Sequence, residues 1–535
     1  MRIMLTGSLA AMTLFFGVQA RAEEKPAKSR IVAVDLFKNG LAIVKREVTV
    51  SGPGTYVLDD VPQPVHGTYS VESAAPMETI VKMREVEVPV EQVVPGNLQE
   101  ELAGKKVTIH FKGDKAPPTT GTMMKLKPMK PDEVRSAYEL GVQPNRFLVL
   151  QTTKGRAYLE ASEIAFVEAE GADEKVKRRQ PRLLLTVGDM DKNPTKIAIS
   201  YLTRGLTWAP SYRLDITDPK TLKLEQNAVV KNELADLDNA EIKLISGYPS
   251  VQFAHVSSLL SPRVSLATFF QELSQRGDRY ADVMSNSIMS QQMASNRSSP
   301  YGLSLGAAPV GEGVDLHYQS IGKRTLAEGE ALDLSVARAK ADYERIVEWL
   351  VPDTRNEHGQ HVDRRGQEPE EESGDSAWDA LKFKNPFTFA MTTGPATVVA
   401  DGKFNGQRTS YWVNAGEETV LRVNKALSVR TRAVEHEELK NGDSREIVWI
   451  GGRQFRRSTV EGELELGNHR QETIKVLLRR RFSGELLSAD GEPKKSLREE
   501  GIYSVNTRNE LLWSFSLKAG EVKKLGYRYT VLVAF

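Results

Sequence analysis

Three short stretches of the chain carry residue types capable of chemistry. Gly302-Leu303-Ser304-Leu305-Gly306 fits the G-x-S-x-G spacing of an esterase nucleophile elbow, in which a tight strand-to-helix turn strains a serine and aims its hydroxyl at a base. Its flanks, Asn296 to Tyr301 and Ala307 to Gly313, read as neither strand nor helix. Asp315 and His317 follow closely, but nearness in sequence is not triad geometry, so the spacing is expected to belong to a loop. His358 and His361, with Glu357 and Asp363 beside them, are the residue types of a metal site. A helical H-E-x-x-H would place both imidazoles on one face, and this stretch has neither that spacing nor a helical period. His436-Glu437-Glu438 lacks a second histidine four residues on. Arg479-Arg480-Arg481 prolongs the alternating strand Ile474 to Leu478, which sets Arg479 and Arg481 on one face and Arg480 on the other. Such a run could meet phosphates or polysaccharide carboxylates, and it reads best as a solvated strand edge that discourages pairing. There is no P-loop and no complete G-x-G-x-x-G. The expectation is no catalytic residue, no bound metal and no cofactor. The alternative is a secreted hydrolase using Ser304 or a His358/His361 metal site.

Composition narrows the classes further. The chain has 535 residues, enough for several domains, with 72 Lys+Arg against 71 Asp+Glu, so net charge gives no reason to expect a nucleic-acid partner. The absence of cysteine removes disulfides, thiolate catalysis and cysteine-ligated metals. Met1 to Ala22 has the parts of a signal peptide: Arg2, the mostly apolar Leu5 to Val18, and the small-x-small Ala20-Arg21-Ala22. That apolar run is short for a ~30 Å hydrocarbon core, and no later segment is long and apolar enough for a transmembrane helix. The mature protein is expected to be periplasmic or secreted, cleaved after Ala22, without integral membrane insertion.

Whatever chemistry exists must be positioned by β structure. Ile31 to Phe37 and Leu41 to Val44 flank Lys38-Asn39-Gly40, a hairpin signal because Asn and Gly tolerate positive φ. Residues 30–96 therefore form an N-terminal β unit. Residues 97–170 carry short alternating runs, such as Val107 to Phe111 and Phe147 to Thr152, that resemble a small SH3- or Sm-like barrel inserted into it. Lys175 to Arg182 reads as a solvated basic connector. Ala228 to Asn232 followed by Ala240 to Ile245, and Gly462 to Asn468 followed by Thr473 to Leu478, share one design: a strand, an Asn that turns the chain, and a second strand, expected to pair as the opening hairpin of a sandwich. Ala327-Glu-Gly-Glu330, Asn414-Ala-Gly-Glu417 and Lys518-Ala-Gly-Glu521 each precede a strand-like run, so sandwich units recur.

The expected fold is mainly β, with an N-terminal β unit, the inserted barrel and then immunoglobulin-like β-sandwiches. Its domains are a sandwich over 183–350, an acidic loop over 351–380, a β domain over 381–456 and a C-terminal sandwich over 457–535. Residues 262–313 read as a flexible insertion whose middle suits an amphipathic helix through Phe269, Phe270, Leu273, Val283 and Met284. Trp208, Tyr212, Trp412, Trp449 and Trp513 sit in strand contexts and are expected to fill the cores. The last run alternates Leu525, Tyr527, Tyr529, Val531, Val533 and Phe535. It suits either an outer-membrane barrel strand or the closing strand of a sandwich, and the irregular charges of the preceding strands favour the sandwich, with Phe535 packed at its margin.

From Ile199 onward the chain resembles a bacterial domain of unknown function, number 4139, found in mucoidy inhibitor A-like proteins. The segment ISYLTRGLTWAPSYRLDI, with Tyr201, Gly205, Trp208, Pro210 and Tyr212, is similar to that domain's opening. AVVKNELADLDNAEIKLISGYP, with Asn232, Leu244, Ser246, Gly247 and Pro249, resembles its next block, and LLWSFSLKAGEVKKLGYRYTVLV its ending. The resemblance is dispersed over residues 183–535. Longer members of that family place a coiled coil before the domain, and no sustained heptads occur between Asn97 and Arg182. The family brings no catalytic residues to carry over. What the resemblance and the composition together imply is a non-catalytic binding or scaffolding protein of the cell envelope, with an envelope protein or a surface polysaccharide as partner.

Overall fold

The computed structural model describes residues 24–73, 76–89, 98–113, 116–126, 146–171, 175–188, 195–247, 249, 251–262, 264–274, 316–356, 358–362, 376–438, 447–499 and 504–535. Strand makes up 66% and helix 4%, so the mainly β expectation holds. The signal-peptide residues, Ser304, Val283, Met284, Glu357 and Asp363 lie outside the described residues.

The chain opens with β1 (Glu24–Pro26), β2 (Ser29–Leu36), β3 (Leu41–Val50), β4 (Gly54–Leu58), β5 (Ser70–Glu72) and β6 (Met77–Pro89). The Asn-Gly hairpin forms as read: β2 and β3 pair antiparallel, Gly40 has φ 81°, and the Asn39 side chain accepts from the Leu41 N–H. Then come α1 (Leu98–Glu101), β7 (Lys106–Phe111), β8 (Thr119–Met123), β9 (Phe147–Thr152), β10 (Gly155–Glu160) and β11 (Ile164–Ala169). These five strands make one small antiparallel sheet in the order β10-β9-β8-β7-β11, over a core of Val107, Ile109, Met123, Leu148 and Leu150.

The basic stretch after it is not a solvated connector. It begins β12 (Lys175–Val187), which pairs with β6 along the whole length of both strands, from Lys175 opposite Pro89 to Val187 opposite Met77. Its cations meet acids, Arg178 pairing with Glu101 and Arg182 with Asp59 at 2.9 Å. Charge density alone suggested solvent, and the acids that neutralise it are distant in sequence. The β6–β12 ribbon thus carries the small sheet as an excursion from the first sandwich.

That sandwich is built by β13 (Thr195–Arg204), β14 (Leu206–Asp215), β15 (Thr221–Asn232), β16 (Leu237–Ser246), α2 (Leu266–Ser274), β17 (His317–Leu326) and β18 (Ala331–Val351), together with the N-terminal strands. One sheet runs β17-β16-β2-β3-β13-β5, so β2 and β3 sit between strands that come much later in the chain. Residues 30–96 and 183–350 therefore share one core, including Val34, Leu185, Ile197, Trp208 and Ile242. Helix α2 is the described part of the expected amphipathic helix, with Phe269 buried and Phe270 exposed.

The remaining strands are β19 (Trp378–Lys384), β20 (Gly394–Ala400), β21 (Lys403–Ser410), β22 (Glu418–Lys425), β23 (Val429–Glu437), β24 (Ile447–Ile450), β25 (Arg453–Asn468), β26 (Ile474–Ser483), β27 (Glu485–Ala489), β28 (Lys494–Glu499), β29 (Arg508–Leu517) and β30 (Val522–Ala534). A large sheet runs β21-β20-β14-β15-β18-β26-β29-β28, with β19 joining β18 to β22. The C-terminal sheet is β23-β25-β30-β27, with β24 beside β25. The boundary read at residue 456 falls inside β25, and β23 belongs with the C-terminal sandwich. Strand β30 closes that sandwich by turning Leu525, Tyr527, Tyr529, Val531 and Val533 into the core, whereas Phe535 lies past its end, 63% exposed rather than packed.

Two expected hairpins are instead crossings between sheets. Strand β15 pairs with β14 and β18, while β16 pairs with β17 and β2; likewise β25 and β26 belong to different sheets. The Asn at each crossing acts through its side chain, not through a left-handed backbone. Asn468 Nδ2 donates to the carbonyls of Glu472, Leu517 and Lys518 at 2.9–3.1 Å, and its Oδ1 accepts from the Arg470 N–H. Asn232 does the same with Ala235, Leu326, Ala327 and Leu234. Asn385, absent from the sequence reading, repeats it with Phe389, Val413, Asn414 and Phe387. The facing turn in every case is the recurring Gly-Glu element. Gly329, Gly416 and Gly520 take φ of 71–88° and donate to the Asn carbonyl, while Glu330, Glu417 and Glu521 each accept from the backbone N–H three residues earlier. The strand before or ending in each Asn pairs with the strand that follows the Gly-Glu turn; for Asn232 and Asn468 the chain between them visits another sheet, and for Asn385 it forms β20 and β21 of the same branched sheet.

Asn468 is 1% exposed, so its amide meets these carbonyls away from bulk solvent. Asn468→Ala should cost about 1–3 kcal/mol, the range for leaving buried polar groups unsatisfied, read as a lower urea midpoint at unchanged m-value. A loss below about 0.5 kcal/mol, the size of an ordinary surface substitution, would contradict the lock.

Candidate functional site

The His358/His361 segment folds as a small hairpin over the end of the C-terminal sandwich. Arg355 and His361 face each other in an isolated bridge, and Val362 donates to the Thr354 carbonyl. His358 is fixed by its backbone carbonyl, which accepts from Ala534 at 2.9 Å, and its Nε2 lies 3.1 Å from Arg453 Nη1. A guanidinium at that nitrogen opposes a metal cation. His361 is exposed, and the described residues bring no third His, Asp or Glu to the pair. The histidines lie over a charged cluster just beneath them.

That cluster is centred on Arg480, which strand alternation places inward with Val476, Leu478 and Phe482. The reading of Arg479 to Arg481 as a strand edge fails, because β26 is paired on both sides, to β18 and β29. The parity assigned from sequence holds: Arg479 reaches Glu348 at 3.5 Å, Arg481 reaches Glu510 at 3.0 Å, and Arg480 points the other way. Its Nε donates to Tyr527 Oη at 2.8 Å, and its Nη2 pairs with Glu435 of β23. Tyr527 donates to Glu435 at 2.6 Å, and Tyr529 lies 3.4 Å from the same carboxylate. Beside them Arg355 donates to the Gly359 carbonyl and to Glu437, both at 2.9 Å, and Arg456 lies 3.4 Å from Glu437. Gly462, directly across from Tyr527, makes room for the ring, since a Cβ there would sit 2.1 Å from it.

Burial opposes ionisation of Glu435, yet Arg480 and the Tyr527 hydroxyl outweigh it and hold the carboxyl below its usual range. Burial likewise disfavours the Arg480 cation, but Glu435 and the two phenols keep it firmly protonated. Burial pushes Tyr527 well above the ordinary phenol range and Tyr529 up to about 12. Each of these four groups therefore keeps one protonation state around neutrality. General acid–base catalysis needs a group poised near the working pH, and none of the four is.

A smaller version of this centre lies in the first sandwich, where Arg46 donates to Tyr201 Oη at 2.8 Å and to Ser29 Oγ at 3.0 Å and pairs with Asp60. Lys38, at the tip of the β2–β3 hairpin, donates to Thr392 Oγ1. A lysine against a threonine hydroxyl has the residue types of an activated nucleophile. Lys38 is 1% and Thr392 0% exposed, so no substrate can approach, and the contact pins the first sandwich to the middle unit.

Of the aromatic residues read as core, Trp208, Tyr212 and Trp513 are buried, and Trp412 is half-buried. Trp449 is 64% exposed; β24 is a four-residue strand that pairs, among the described residues, with β25 alone. Two core tryptophans escaped the reading: Trp349 at the end of β18 and Trp378 at the start of β19. The signal for the charged centre was present in the sequence, since an Arg at a core-facing position of an alternating strand requires a buried carboxylate. No protein-family model and no curated protein matches the chain.

Glu435→Gln would leave Arg480 buried without its counter-ion and should cost about 3–5 kcal/mol. The pH dependence has two limbs. Glu435, depressed in the fold, contributes fully above the ordinary carboxyl value near ~4.3 and loses its contribution as pH falls below it. The phenols, raised in the fold, contribute fully below ~10, the ordinary tyrosine value, and lose their contribution as pH rises above it. Phenolate absorbance should therefore show Tyr527 and Tyr529 missing from the wild-type titration near ~10, together with Tyr69 and Tyr201, which burial also raises, and these tyrosines should reappear there in urea. Ionisation of both in the folded chain near pH 10 would contradict the burial.

Proposed function

We propose that the protein is an exported, non-catalytic binding or scaffolding component of the cell envelope, of the mucoidy inhibitor A-like kind. The observation that carries this reading is the closed state of the charged centre beneath His358 and His361, in which Arg480, Glu435 and both tyrosines are consumed by one another. Arg46 and Lys38 are spent in the same way, on Tyr201 and Asp60 and on Thr392. What remains for function is surface: broad β faces on a frame of successive sandwiches. Export is supported by the Leu5 to Val18 run with Ala20-Arg21-Ala22, and a cysteine-free chain suits folding outside the cytoplasm without disulfide catalysis. No helix among the described residues is long and apolar enough to cross a membrane. The partner is an envelope protein or a surface polysaccharide.

Two measurements test this reading. N-terminal sequencing of the protein from fractionated cells should find Glu23 first, in the envelope fraction; retained Met1 in the cytoplasm would refute export. A panel of ester, glycoside and peptide substrates should give the same background rate for wild type, Ser304→Ala and the His358→Ala/His361→Ala double variant. A wild-type rate abolished in either variant would establish a hydrolase.

A further inference from the structure

The outward face of β14, β15 and β18 forms a shallow groove of two cross-strand rows. One row sets Arg213, Glu225 and Arg338 side by side, and the next sets Asp215, Lys223 and Lys340. The acids are already engaged. Glu225 accepts from Arg338 Nε at 2.8 Å, and Asp215 Oδ1 accepts from the Thr217 N–H and hydroxyl at 3.0 and 2.6 Å. Arg213, Lys223 and Lys340 close no ion pair and donate no side-chain hydrogen bond among the described residues. Lys223 and Lys340 are moreover directly opposed, an arrangement that costs sheet stability. Arg213 and Lys223 are attracted to Asp215, and Arg213 to Glu225, without closing an ion pair, and with Lys340 the concavity keeps more cations than acids, a surplus that an anion would balance.

Both rows continue across the sheet. Arg213 is in register with Thr397 of β20, which faces Gln407 of β21, and the amide of Gln407 donates to the Thr397 hydroxyl at 3.1 Å. The second row passes through Val399 to Phe404, whose ring is 69% exposed. Five strands at ~4.8 Å spacing give a face about 19 Å across, long enough for several sugar rings. It offers cations, amide and hydroxyl groups, and one flat apolar ring.

We propose that this face binds a linear carboxylated glycan. The charges favour it over a denser polyanion: Arg213, Lys223, Arg338 and Lys340 against Asp215 and Glu225 leave 4 − 2 = +2, with the acids interspersed. Inorganic polyphosphate, charged at every backbone unit and without hydroxyls, would repeatedly meet Asp215 and Glu225. A polyuronate instead alternates single carboxylates with neutral hydroxyls, which those acids, Thr397 and Gln407 can bond, and Phe404 presents a face against which a ring can lie. This inference rests on the binding-protein reading and names the ligand class for it.

Calorimetric titration of the mature chain with a galacturonic acid hexamer should give saturable binding that weakens as salt is raised. A neutral oligosaccharide of equal length should not compete. Lys223→Ser/Lys340→Ser should lower affinity at least tenfold while the thermal midpoint holds or rises, because the like-charge pair is relieved. Phe404→Ala should lower affinity severalfold. Failure of the hexamer to bind, tighter binding of inorganic polyphosphate, or affinity unchanged in the double lysine variant would each overturn the proposal. The titration does not depend on where the cell places the protein, so a cytoplasmic location would remove the envelope reading and leave the glycan result to stand or fall alone.

Discussion

A strand in a protein interior must pair its backbone along its whole length, and β18 meets that demand over 21 residues only by changing partners. Ala331 to Asp342 pairs with β15, Tyr343 to Glu348 with β19, and Val347 to Val351 runs parallel to β26. The same strand supplies side chains to three successive cores: Leu332, Leu334 and Val336 pack on the first, Ala339 and Tyr343 on the second, and Val347, Trp349 and Val351 on the third. Where the partners change, Glu348 is 4% exposed and held by Arg422 at 2.8 Å and Arg479 at 3.5 Å. A buried carboxylate needs such compensation, so the two arginines fix how β22 and β26 sit against the spine. The sandwiches are therefore not beads on linkers but segments of one hydrogen-bonded structure.

Each segment also solves the problem of crossing from one sheet to the other. A chain that leaves a sheet abandons carbonyls in a dry corner, and a primary amide provides both donors and an acceptor within one short side chain. Asn232, Asn385 and Asn468 each bond a carbonyl three or four residues on and the two carbonyls that lead into the facing Gly-Glu turn. The Arg46–Tyr201 and Arg480–Tyr527 pairs are a second repeated device in two of the cores, each joining a buried guanidinium to a phenol and a carboxylate. Repetition of both devices in differently sized units shows that they serve the corners and cores themselves.

What the sequence revealed follows from how local each signal is. The Lys38-Asn39-Gly40 hairpin was legible because its turn chemistry lies within four residues. The parity of Arg479 to Arg481 was legible because alternation has a period of two, whereas the meaning of Arg480 required Glu435, 45 residues away. Asn232 and Asn468 stood out at strand ends, but their opposite turns begin 95 and 50 residues later, so a crossing looked like a hairpin. Lys175 to Arg182 looked solvated because Asp59 and Glu101, which neutralise part of it, are separated from it by the whole inserted sheet. The lysine pair in the groove had no sequence signal, since β15 and β18 are brought into register by a connection of nearly a hundred residues.

A frame of this kind presents broad β faces while keeping its ionisable interior closed, which suits the surface-binding or scaffolding role proposed above. The claim beneath that role is that β18 makes three cores one cooperative body. Equilibrium urea unfolding of three single-tryptophan variants, retaining only Trp208, Trp378 or Trp513, tests it most directly, because each indole is buried in a different part of the frame. Coincident midpoints and m-values for all three are the predicted result. Separate transitions, with Trp208 and Trp513 reporting unfolding at different urea concentrations, would show that the sandwiches stand independently and would contradict the account.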